Sequence, residues 1–133
     1  MMQVEELRHM RAQNKTSIYI RMRDAYFVNA EKLAREGEFT KASEFLWGAV
    51  TQAIKALAAK FDIRIDKHSQ FFGFMETLAK EVKEPQLYED FLFLNDLHKN
   101  FYDEKIRPAD YEIYLKKAVL FIRKLEKLME KER

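Results

Sequence analysis

An all-helical fold is what this sequence predicts, and three observations predict it. The 133 residues include only three Gly and two Pro, too few turn formers for a sheet protein of this length. Apolar residues recur at helical spacing through most of the chain. Hydrophobic residues make up 47%, which excludes disorder and lets one domain fill a core without metal or disulfide staples. With no cysteine, disulfides and Cys-ligated zinc or iron–sulfur sites are excluded as well.

Taken in order, residues 2–13 read as a short polar helix or loose arm. The expected division is an arm over 1–16 and a single helical-bundle domain over 17–133. A helix from about Ser17 to Glu36 carries Ile18, Met22, Ala25, Tyr26, Ala30 and Leu33 near i, i+4, i+7 spacing. Gly37 stands at its C′ position, where the left-handed conformation ends helices. The clearest stripe follows: Phe39, Ala42, Leu46, Ala49, Val50, Ala53, Ile54, Leu57 and Phe61. So short a gap between the two helices predicts an antiparallel hairpin. Asp62–Lys67 alternates charge and Ile and reads as a loop. The next helix starts at His68 or Ser69 and runs to about Lys83, with Phe71, Phe72, Phe74, Met75, Leu78 and Val82 apolar. Pro85 breaks the chain and opens a helix over about Gln86–Glu104. Arg107-Pro108 marks another boundary. The last helix, about Ala109–Glu130, lines up Tyr111, Tyr114, Leu115, Ala118, Phe121, Ile122, Leu125 and Met129. Gly37-Glu38-Phe39 hints at a tetratricopeptide hairpin, but no 34-residue period recurs.

Net charge is +2, from 24 basic and 22 acidic residues, which is no nucleic-acid footprint for the whole chain. Lys105–Arg133 is more basic, with nine Lys/Arg against five Asp/Glu, and reads first as a solvated helix face. The opening Met1-Met2-Gln3-Val4-Glu5-Glu6 is acidic where a secretory signal is basic. No apolar run reaches the ~18 residues that span a bilayer. The expectation is a soluble, cytoplasmic protein without a membrane partner. Charged residues reach 35%, mostly Lys and Glu, a composition that leans towards a thermophile.

Two sets of positions break the apolar pattern. On the 39–61 helix, Glu44, Gly48, Thr51 and Lys55 fall at i, i+4, i+7, i+11, opposite the stripe, with Trp47 beside them. A mid-helix Gly costs about 1 kcal/mol relative to Ala, and is kept where another backbone or a ligand comes close. These five residues are the candidate binding or interface face, and the same spacing also suits a helix crossing within the chain. On the 86–104 helix, Asn95, His98 and Tyr102 interrupt a stripe that includes Phe91, Leu94 and Phe101. A polar group buried without a hydrogen bond costs about 1–3 kcal/mol, so these residues either pair or line a cleft. His98 can also exchange protons near neutral pH. With Lys99 they form the candidate catalytic set, although a histidine on an apolar face is more often structural. No metal or cofactor is expected. Glu6-Leu7-Arg8-His9 is the single Glu-x-x-His, phosphate loops and hydrolase elbows are absent, and His9, His68 and His98 sit on different segments.

The runs Ala30-Glu31-Lys32-Leu33, Glu36-Gly37-Glu38, Lys41-Ala42-Ser43-Glu44, Leu46-Trp47-Gly48-Ala49 and Ile54-Lys55-Ala56-Leu57-Ala58 resemble the PaREP family of archaeal helical proteins. His68 and Leu97-His98-Lys99-Asn100-Phe101-Tyr102 fit that family's pattern too, so the likeness covers about residues 18–128. The family is similar to HEPN (higher eukaryotes and prokaryotes nucleotide-binding) domains. That resemblance implies an up-and-down four-helix bundle with an extra helix, and a homodimer. Many HEPN domains are metal-independent ribonucleases or toxins marked by an Arg and, four to six residues on, a His. In such a pair the His moves the 2′-OH proton and the Arg stabilises the phosphate. Here Asp90–Leu97 contains no Arg, His98-Lys99-Asn100 stands where the marker would begin, and Tyr102 or Asp103 stands at the place of its His. The resemblance therefore implies a dimerising module that binds a partner protein or a nucleotide without catalysis. Its alternative is an RNA-binding or RNA-cleaving protein with a degenerate motif.

Overall fold

A computed structural model describes residues 3–99 and 106–131. Among these residues five helices follow one another: α1 (Val4–Arg35), α2 (Phe39–Lys60), α3 (His68–Glu81), α4 (Pro85–Lys99) and α5 (Pro108–Lys131). The described residues contain no strand. The expected gap between a 2–13 segment and a helix from Ser17 is not there, because α1 runs through it. No Gly or Pro interrupts Val4–Arg35. Thr16 is also fixed in the bundle, its buried hydroxyl donating to the Ala56 carbonyl at 3.2 Å.

Gly37 ends α1 as its residue type requires, with φ +79. The N–H groups of Gly37 and Glu38 return to the carbonyls of Ala34 and Leu33. Two residues that do have a Cβ, Asp62 and Lys83, adopt φ 58 after α2 and α3. Behind them, Ile63 donates to the Ala58 carbonyl and Glu84 to that of Ala79, each at 2.9 Å. α3 is started by Gln70, whose side-chain oxygen accepts the N–H groups of Asp66 and Lys67 at 2.7 and 2.8 Å. Pro108 opens α5, and Arg107 pairs with Asp110 in its first turn.

α2 is the axis of the molecule. Buried residues lie all round it, as expected of a helix enclosed by others. α1 folds back along it as the predicted hairpin, α5 and α4 cover other sides, and α3 rests on α4. The core joins Leu46, Val50, Ile54 and Leu57 of α2 to Met75, Leu87, Phe91, Leu94, Phe121 and Leu125. Its alanines, six of them on α2 among the buried residues, let neighbouring helices approach closely. Asp90, nearly buried on α4, meets Lys117 of α5 at 3.1 Å and Gln86 at 2.9 Å, so the seam between those helices has its charge satisfied. No helix among the described residues is long and apolar enough to cross a membrane.

Candidate functional site

Three helices bring Trp47, His68 and His98 together. Burial of Phe91, Leu94 and Leu97 sets the rotation of α4, which places Asn95 and His98 on the face that carries Phe91. His68 is the first residue of α3. Buried Ile65 and the Gln70 side chain anchor the chain just before it. Trp47 comes from the middle of α2 and is only 8% exposed.

The indole of Trp47 stacks with the His98 ring, with centroids 6.0 Å apart and planes at 26°. It touches the His68 ring at 6.0 Å and Phe91 at 6.1 Å. The two imidazoles are closer to each other, with centroids 4.8 Å apart and planes at 33°. Phe72 meets His68 edge-on at 5.6 Å. Both imidazoles are exposed while the aromatic floor beneath them is largely covered. The result is a small aromatic surface that includes two imidazoles, each carrying two ring nitrogens. Such a surface suits a planar base for stacking or an anion at the nitrogen edges.

The candidate residues part company around this site. Asn95 is 3% exposed, and its Oδ1 has no hydrogen-bond partner among the described residues. Lys99 is the last described residue of α4; its side chain and the whole of Tyr102 lie outside the described residues. The second face of α2 meets α1. A Cβ at Gly48 would come within 2.9 Å of the Tyr26 ring. Thr51 donates to the Gly48 carbonyl at 2.9 Å within its own helix. Lys55 Nζ stands 6.0 Å from the centre of the Tyr19 ring. Glu44 is exposed. Trp47 alone of the five turns to the histidines.

His68 belongs to neither candidate set that sequence spacing picks out. It lies on another helix from His98, so no local spacing links them; only the three-dimensional path of the 61–67 loop does. His9 is hydrogen-bonded to Gln13 within α1. Among the described residues, no group of three or more His, Asp or Glu side chains is placed to hold a metal ion.

Residues 18–122 match the model of a protein family described as the archaeal PaREP1/PaREP8 family. No curated protein matches the chain.

Proposed function

The chain belongs to the archaeal PaREP1/PaREP8 family, and on that premise we propose that it is a HEPN-like, dimerising helical module that binds a nucleotide without catalysis. The observation that carries this reading is the pair of exposed imidazoles, 4.8 Å apart, set on Trp47. A nucleobase can stack on the exposed rings, and a phosphate can accept hydrogen bonds from their nitrogens. The α1–α2 hairpin, with α4 and α5 laid against α2, supports the bundle part of the proposal. A protein partner on the Glu44, Gly48, Thr51 and Lys55 face has less support, because α1 packs against Gly48 and Lys55.

Trp47 is the single tryptophan, so its fluorescence reports on this site alone. Titration with adenosine and guanosine nucleotides and a short single-stranded RNA should change that fluorescence saturably for at least one ligand. His68→Ala or His98→Ala should weaken binding by about tenfold or more, the loss of about 1.4 kcal/mol expected for a charge-assisted contact. A flat response to every ligand sinks the nucleotide reading. Light scattering that gives only a monomer removes the dimer.

One observation also favours RNA cleavage by a degenerate site. Two adjacent exposed histidines can divide the acid and base roles. One takes the 2′-OH proton as that oxygen attacks phosphorus; the other gives a proton to the departing 5′-oxygen. Metal-free incubation with RNA decides it. Products from wild type that disappear in His98→Ala support cleavage, whereas equal products or none exclude it.

A further inference from the structure

We infer that His68 and His98 form a two-histidine site for a transition-metal ion of the zinc, nickel or copper class. Metal–nitrogen bonds of about 2.0–2.1 Å put the ring centres of two imidazoles on one ion about 4.5–5.2 Å apart, for angles between square and tetrahedral. The observed separation is 4.8 Å. Imidazole is a ligand that zinc, nickel and copper take readily, whereas calcium and magnesium prefer oxygen. The anchoring is also right for chelation. His68 starts α3 and His98 lies on α4, so each ring hangs from a helix held by the core. Trp47, against both rings, provides a packed floor that limits their inward collapse. Among the described residues these two imidazoles are the ligands that converge, and further donors would complete the coordination sphere. The inference does not rest on nucleotide binding, although it uses the same imidazoles.

The test is calorimetric titration of the whole protein with Zn²⁺ or Ni²⁺ alone, with no nucleotide present. Wild type should bind one tight ion per chain. His68→Ala and His98→Ala should each lose about tenfold or more in affinity, and the double variant little beyond either single one, because the second ligand gains only through the first. His9→Ala should bind as wild type does, and Cu²⁺ should quench Trp47 in wild type but not in the double variant. Far-ultraviolet circular dichroism confirms that each variant is folded; if His68→Ala is not, His68→Gln takes its place. Absence of tight binding to wild type overturns the site, as does unchanged affinity in both single variants. Metal binding that persists where every nucleotide fails, or the reverse, separates this inference from the proposed function.

Discussion

Gly48 shows how one residue can be conspicuous in a sequence for two incompatible reasons. Its cost to the helix marks a close approach without saying of what, and here it is the Tyr26 ring of α1. An added methyl would meet Cδ2, Cε2 and Cγ of that ring at 2.9, 3.3 and 3.4 Å. Cγ is the ring's root, so the side chain cannot swing clear by moving its tip. Gly48→Ala gains about 1 kcal/mol in helix propensity, but overpacking costs about 1–3 kcal/mol. The expected outcome is a net loss of about 1 kcal/mol in urea unfolding, and a stabilised variant would mean the α1–α2 crossing is looser than this geometry. Tyr111 carries the second consequence at this scale. Burial first, then the negative charges of Glu31 and Glu112, push its phenol up to about 12 from an ordinary 10. The raised value means the folded state keeps its proton longer, so this contribution is complete below pH 10 and is lost as pH climbs towards 12. The slope approaches about 1.4 kcal/mol per pH unit and sums to about 2–3 kcal/mol. Tyr111→Phe should flatten that alkaline decline in a series of denaturant melts, and an unchanged decline would assign it to other groups.

Among the elements, punctuation was legible and continuity was not. Gly37, Pro85 and Pro108 stand at or beside the boundaries read from them. Before Ser17 the apolar pattern fades, yet α1 runs on through Val4–Arg35. Loss of that pattern marks exposure: Val4, Leu7 and Met10 are 63%, 48% and 46% exposed, yet α1 includes them. No Gly or Pro breaks the segment, and Thr16, a residue type that can cap a new helix, gives its hydroxyl to the Ala56 carbonyl of α2 instead. The candidate site was legible by half for a related reason. His98 and Asn95 stood out because they interrupt a periodic stripe, while His68 begins a helix and interrupts nothing. Lys83 was equally hidden, a residue with a Cβ in the left-handed turn after α3. That conformation costs roughly 1 kcal/mol for a non-glycine residue. Lys83→Gly should therefore raise stability by up to about 1 kcal/mol, less the added freedom of the unfolded chain. A shift of the denaturant midpoint to lower concentration would contradict it.

For the molecule as a whole, the enclosure of α2 matters beyond packing. Its neighbours arrive from several directions, and its buried residues include Ala42, Val50, Ala53, Ile54 and Ala58, all fully covered. The first turns of α1 are different, since Val4 to Met10 are exposed and lie outside the core. An amide proton exchanges with solvent only when its hydrogen bond opens to water, so exchange rates record how much of the structure must come apart. The amides in the middle of α2 should be among the slowest, timed by global unfolding and accelerated in step with denaturant. Those of Val4 to about Met10 should exchange fastest of the helical residues. A mid-α2 amide as fast as these would show that a covering helix leaves by itself. The buried axis is thus a clock for the entire fold, and a bound ion or nucleotide that stabilises the native state would slow it even though no ligand touches most of its length.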